Sequence, residues 1–141
     1  MFETFQSFSG GIATLLMGIA AGAAWVAVIA APNVSYDRLD ASRADGHVRN
    51  LLLETCTPIS GLLLAAAALS LLSGHIAAAV TAGVGAFGFF SNRWTLAPKK
   101  RGTTPPGVRH KKKTQRVVAV GFSLIFSVVA LVGGVLSILG I

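Results

Sequence analysis

The sequence predicts an all-α, integral membrane bundle of four helices. The prediction rests on low charge, long apolar runs and the placement of the basic residues. Of 141 residues, 53% are hydrophobic and only 12% are charged, whereas a soluble domain carries about 25% charged residues. The mean hydropathy is +0.71. Lipid offers the backbone no hydrogen-bond partner, and the period-two alternation of a barrel strand is absent, so the apolar runs are predicted to be helices.

Four apolar runs predict the helices, at residues 9–31, 51–72, 76–92 and 117–141. A hydrocarbon core of about 30 Å takes about 20 helical residues, and the third run is the shortest of the four. The first run is expected to end at Pro32. Because the segment before it contains Glu3 and no Lys or Arg, we expect a retained helix rather than a cleaved signal peptide.

Two polar segments, residues 33–50 and 93–116, connect these runs as loops. The second and third runs are separated only by "SGH" at 73–75, which predicts an antiparallel helical hairpin. The stretch "TTPPG" at 103–107 excludes a continuous helix through the second loop. The whole chain is therefore predicted to be one transmembrane domain.

The basic residues predict the orientation. Of 12 Lys and Arg, three lie in the first loop and nine lie between 93 and 116, while the N-terminal segment, the 73–75 turn and the C-terminal run contain none. The positive-inside rule places both loops in the cytoplasm and both termini outside. We expect the location to be the inner (plasma) membrane of a bacterium.

The second loop contains a basic strip, residues 97–116, with eight Lys or Arg and no acidic residue. Such a strip beside a membrane is typical of contact with anionic lipid, to which each basic residue contributes about 1 kcal/mol, or with an acidic partner surface. Apart from its charge, nothing in the strip indicates nucleic-acid binding. The predicted contact residues are Lys99, Lys100, Arg101, Arg109, Lys111, Lys112, Lys113 and Arg116.

Small residues recur at the spacing that lets helix backbones approach closely. Such residues serve packing within the bundle or packing against other membrane subunits, and the sequence leaves both roles open. They are Gly18 and Gly22 in the first run, Ala79 and Gly83 in the third, and Gly133 and Gly134 in the fourth.

Glu54 is the one acidic residue within the runs, and an ionisable group in a membrane segment is by default a functional-site hypothesis. The alternative, which we favour, is an interfacial carboxylate that interacts with the helix N-terminus or pairs with Arg49 or Arg93. Asn92 and Arg93 end the third run, so Glu54, Asn92 and Arg93 form a candidate polar pocket on the cytoplasmic side.

No cofactor or metal site is predicted, and no catalytic residue is assigned. The single cysteine, Cys56, excludes a thiolate cluster and is expected to be a small core side chain. His47 and His110 lie in the cytoplasmic loops and His75 in the outer turn, so no pair converges on a haem or a metal. Hydrolase, phosphate-loop and zinc-helix motifs are absent.

Pro32 after the first run and "NRWTLAP" at 92–98, together with the order of the helices, resemble the anthrone-oxygenase-like family of small four-helix membrane proteins. The resemblance implies, at most, cofactor-independent oxidation of an aromatic or quinone-like substrate. It transfers no catalytic residue, and the basic strip is longer and richer than that family's pattern.

Three functions follow as hypotheses. The first is a non-catalytic accessory or assembly subunit of a larger membrane complex, based on the small size, the small-residue faces and the absence of catalytic motifs. The alternative is an oxygenase-like membrane enzyme that uses Glu54, Asn92 and Arg93. The third is a small transporter, for which "AP" at 31–32 and 97–98 hints at duplicated halves.

Overall fold

A computed structural model describes the backbone of residues 2–96 and 108–141, and the side chains of residues 3–40, 43–96 and 117–141. Every regular element in these ranges is helical. The elements are α1 (Phe2–Trp25), a π-helical segment (Val26–Ala30), α2 (Ala31–Arg38), α3 (Ala41–Leu72), α4 (Ile76–Leu96) and α5 (Val108–Ile138). The predicted all-α class is confirmed.

The sequence predicts that the first helix ends at Pro32, but the chain stays helical past this residue. The π segment joins α1 to α2, and the Ala31 N–H donates to the Val26 carbonyl five residues earlier. Pro32 then lies in the first turn of α2, where a missing N–H is tolerated. The wider π turn therefore accommodates the proline, and the helix continues to Arg38.

The other helices also extend beyond the apolar runs. Helix α3 begins at Ala41 instead of residue 51 and includes Pro58, α4 continues to Leu96 instead of 92, and α5 begins at Val108 instead of 117. Much of the segment predicted as the first loop is therefore helical. The apolar runs underestimate the helices because hydropathy marks the lipid-facing part of a helix, whereas its polar end can continue into the interface. The "TTPPG" stretch at 103–107 lies outside the described residues.

Two helices end in the same glycine motif. Gly74 has φ +85° and Gly140 has φ +76°, and both follow the last turn of a helix, α3 and α5 respectively. The His75 N–H donates to the Ser70 carbonyl at 2.9 Å, and the Ile141 N–H donates to the Leu136 carbonyl at 3.1 Å. This is the Schellman arrangement, which needs glycine in the left-handed region, and the first motif makes the α3–α4 hairpin that "SGH" predicts.

The helices form a ring in which α1 packs against α3, α3 against α4, α4 against α5, and α5 against α1. One end of the ring is the outer end, which we define by the start of α1, the Ser73–His75 turn and the end of α5. There, a Cβ on Gly10 would lie 3.1 Å from the His75 ring, and Thr14 Oγ1 donates to Ser137 Oγ at 2.9 Å. The opposite end, which we call the basic end, contains Arg49 and Arg93.

The core consists of small side chains and the surface of large apolar ones. Alanines occupy four buried positions in α1 and four in α4, and Met17, Leu63 of α3 and Phe89 pack among them. Meanwhile Phe8, Phe87 and Ile138 are 68%, 73% and 74% exposed. A water-soluble bundle buries its large apolar side chains instead, so this surface suits lipid.

Three helical stretches are long and apolar enough to cross a membrane, at Glu3–Arg38, Arg43–Leu72 and Val117–Ile138. Helix α4 is not among them, because Asn92, Arg93 and several glycines lower its hydropathy. Its 21 residues are nevertheless about 31 Å long at 1.5 Å per residue. Its outward side chains are apolar from Ile76 to Phe90.

Candidate functional site

Asn92 joins α4 to α5 at the basic end. Its side chain is 3% exposed, and its amide nitrogen donates to the Ala119 carbonyl at 3.0 Å and to Ser123 Oγ at 2.8 Å. The Thr95 hydroxyl lies 2.7 Å from the Asn92 main-chain carbonyl and 3.0 Å from Asn92 Oδ1, within donating distance of both. Because both amide donors and the amide oxygen have protein partners, Asn92 is a helix-packing residue rather than an open reactive group.

Arg49 joins α3 to the end of α4. Its Nε and Nη2 donate to the Leu96 carbonyl at 3.2 and 2.7 Å. Leu96 is the last residue of α4, where carbonyls lack helical partners. Arg49 therefore caps α4 at the point where the chain enters the basic strip.

At the basic end, Arg93 and Glu54 lie on the exposed surface of the bundle. They do not share a pocket with Asn92, whose side chain is buried. The Arg93 guanidinium donates from Nη1 to Thr57 Oγ1 on α3 at 2.9 Å. Glu54 is exposed one turn before Thr57, and within the described residues it has no hydrogen-bond or ion-pair partner. Since Asn92 points at α5, the predicted three-residue pocket is not assembled as a single site.

The basic end also contains a side-chain bond between α2 and α3, in which the Tyr36 hydroxyl donates to Asp45 Oδ1. The basic strip follows α4 in the sequence and contains the eight predicted contact residues. Lys99, Lys100 and Arg101 are outside the described residues, and the other five belong to the first turns of α5, where only the backbone is described.

The outer end contains a second polar cluster, made by α1, the α3–α4 turn and α5. Its buried members are Ser9, Ser70, Ser73 and Ser137. The Thr14 hydroxyl contacts both the Gly10 carbonyl at 3.0 Å and Ser137 Oγ. Ser70 Oγ and His75 Nδ1 are buried there without a hydrogen-bond partner in the described part of the chain.

The outer end also contains a bond between α4 and the end of α5. The Ala78 N–H, in the first turn of α4, donates to the Ile141 carbonyl at 3.2 Å. First-turn N–H groups have no partner within their own helix. The end of α5 thus satisfies one of them and ties the hairpin to α5.

The predicted small residues divide into two groups. Gly133 packs within the bundle, since a Cβ there would lie 3.0 Å from Met17 Sδ and 3.1 Å from Thr81 Oγ1. Ala79 is buried, and a Cβ on Gly134 would make ordinary contact with Met17. Gly18 and Gly22 are exposed, and a Cβ on either of them or on Gly83 would meet no atom within 4 Å.

Sequence reasoning missed the closest helix contacts. A Cβ on Gly88 would lie 2.3 Å from the Phe126 ring, and one on Gly85 would lie 3.2 Å from Leu63. It also missed the serines of α5, of which Ser127 accepts a hydrogen bond from the Trp25 indole at 3.1 Å. One signal was present in the sequence: Ser123 and Ser127 are one turn apart within an uncharged run and mark the inward face.

Among the described side chains, His47, His75 and Cys56 lie in different parts of the bundle. His75 lies in the outer cluster, His47 is exposed near the start of α3, and the His110 side chain is outside the described residues. Cys56 is buried in the core, as predicted. Nowhere in the described ranges do three or more His, Cys, Asp or Glu side chains come together as a metal site.

Comparison with known protein families, curated proteins and solved structures gives no match for this chain.

Proposed function

We propose that this protein is a non-catalytic accessory subunit of a larger membrane complex. It attaches to other membrane helices through the exposed side of α1. The observation that carries the proposal is the exposed pair Gly18 and Gly22. Both lie on the exposed side of α1, and neither has any atom within 4 Å of the position of a Cβ. Glycines one turn apart on a membrane helix allow another helix to approach closely.

The exposed pair belongs to a longer stripe along α1 and the start of the π segment. Gly11, Leu15, Gly18, Gly22 and Val26 recur at intervals of three or four residues, and all are exposed. A helix presents such positions on one side. The stripe combines two apolar side chains with three glycines, which let another helix approach closely. This composition is typical of a helix-packing surface in a membrane.

In this proposal all four helices of the bundle cross the membrane, with the basic end in the cytoplasm and the outer end outside. The large apolar side chains on the surface of α4 support a lipid-facing position for that helix too. Arg38, Arg43, Arg49 and Arg93 belong to the basic end, whereas α1 before Trp25, the 73–75 turn and α5 after Arg116 contain no Lys or Arg. This distribution supports a cytoplasmic basic end in a bacterial inner membrane, where the basic strip would contact anionic lipid or a partner.

The Gly18→Leu/Gly22→Leu double variant tests the attachment surface. The matched control is Gly61→Leu, because Gly61 is an exposed glycine on α3 that also has no atom near its Cβ position. After gentle detergent extraction, we expect the wild type and the control to co-purify with a larger membrane assembly. We expect the double variant to run as a folded, partner-free monomer.

Size and mass analysis measures the difference. A wild-type protein that purifies as a clean monomer would count against the proposal, as would a double variant that retains its partners. No observation in the structure favours the enzyme or transporter hypotheses, which stay predictions from the sequence.

A further inference from the structure

We propose that Glu54, Thr57, Arg93 and Trp94 form a binding site for the headgroup of a zwitterionic phospholipid, one that has a phosphate and a primary ammonium. The inference rests on the proposed membrane position of the bundle. It concerns the α3–α4 surface at the basic end, which is separate from the Gly18/Gly22 face of α1.

The charged groups lie at the depth of a headgroup. Arg93 is 17 residues from the start of α4, and Glu54 is 18 residues from the end of α3. At 1.5 Å per residue both lie about 25 Å from the outer end of the hairpin. With a hydrocarbon core of about 30 Å, both backbone positions come within about 5 Å of the cytoplasmic boundary, a distance that long charged side chains can span.

Thr57 positions the Arg93 side chain on the surface of α3. Its hydroxyl accepts one hydrogen bond from Arg93 Nη1 at 2.9 Å, which orients the guanidinium along the surface and leaves further N–H groups for a ligand. Glu54 is one helical turn from Thr57 on the same helix, and its side chain is exposed. A cation and an anion therefore flank Thr57 on the lipid-facing surface.

The chemistry of the pair selects the lipid. Arg93 offers planar N–H donors to phosphate oxygens, and Glu54 offers a carboxylate to an ammonium group. A carboxylate at the edge of the hydrocarbon is costly without such a partner. An anionic headgroup without an ammonium would satisfy Arg93 but would be repelled by Glu54.

The neighbouring surface suits the rest of a lipid molecule. Trp94 is 73% exposed, and its ring lies 5.6 Å from that of Phe90. Aromatic rings of this kind are common at the boundary of the membrane. Below them, Phe87 and Leu64 are exposed and supply an apolar surface for acyl chains.

Native mass spectrometry can measure the preference. The wild-type protein is incubated with mixed micelles that contain equal amounts of two lipid probes, phosphatidylethanolamine and phosphatidylglycerol. We expect phosphatidylethanolamine to be retained preferentially. The Arg93→Gln variant should bind it about tenfold more weakly, which corresponds to about 1.4 kcal/mol.

Two further variants make the test specific. Glu54→Gln should abolish the preference for phosphatidylethanolamine over phosphatidylglycerol, while Arg43→Gln, which removes an exposed arginine nearer the start of α3, should change neither quantity. A wild type without preference, or a preference that survives Glu54→Gln, would overturn the assignment. A third result would also overturn it: Arg93→Gln and Glu54→Gln keep the lipid preference of the wild type, while their thermal unfolding without lipid shifts. That result would indicate that Glu54 and Arg93 form an ion pair with each other.

The lipid site and the attachment surface can fail separately. The Gly18→Leu/Gly22→Leu variant should retain the lipid preference of the wild type, because its changes lie on α1. A double variant that retains its partners would therefore contradict the attachment surface alone, whereas a wild type without a lipid preference would contradict the lipid site alone.

Discussion

At the scale of single residues, polar side chains in this chain mainly hold helices together. Asn92 shows why the sequence alone misassigns them. An asparagine next to an arginine at the end of an apolar run is consistent with a reactive pocket or with a helix clamp. Only the direction of the side chain distinguishes these roles, and Asn92 points at Ala119 and Ser123. Residue type predicted that the position matters but could not predict its partners.

Gly88 gives the sharpest test at this scale. Gly88→Ala would place a methyl group 2.3–2.4 Å from three atoms of the Phe126 ring. We expect it to lower the free energy of unfolding by about 1–3 kcal/mol, as overpacking does. Thermal unfolding in detergent measures the change.

The control for this substitution is Gly83→Ala on the same helix, where a Cβ meets no atom within 4 Å. It should be neutral or stabilising by up to about 1 kcal/mol, since alanine is the better helix former. Smaller side chains at position 126 should rescue Gly88→Ala. Equal effects of Gly83→Ala and Gly88→Ala would show that the Gly88–Phe126 contact is wrong.

At the scale of elements, the sequence predicts which segments are helical better than where they end. The Ser73–His75 turn was predictable, because a glycine between two apolar runs is typical of a helix C-terminus. The passage through Pro32 was not, since it depends on the π segment that precedes the proline. The early starts of α3 and α5 were missed because their first turns are polar.

Arg49 tests how the end of α4 is held. Arg49→Met removes both donors to the Leu96 carbonyl and keeps an unbranched side chain of similar reach. We expect the last turn of α4 to fray and unfolding to become easier by about 1 kcal/mol. Hydrogen exchange at the amides of the last turn of α4 measures the local effect.

Arg43→Met serves as the comparison, because Arg43 is an exposed arginine on the same helix. It should leave the exchange rates in α4 unchanged. If Arg49→Met also leaves them unchanged, Arg49 does not cap this helix.

At the scale of the whole molecule, the bundle has small side chains inside and large apolar ones outside. Composition predicted a membrane protein, and three helical stretches have the length and hydropathy to span. The ring order of the helices and the polar cluster at the outer end came only from the structure, because they depend on pairings between distant residues such as Thr14 and Ser137. The described arginine side chains all lie toward the basic end of this bundle, and none lies at the outer end.

We propose that the bundle crosses the membrane with its basic end in the cytoplasm, and reporter fusions test this orientation. A reporter that is active only outside the cytoplasm should be active when fused after Ile141 and inactive when inserted near Thr104. A cytoplasmic reporter at the same two positions should give the opposite result. An active external reporter near Thr104 together with an inactive one after Ile141 would contradict the orientation, and equal activity at both positions would contradict the segregation of the two ends.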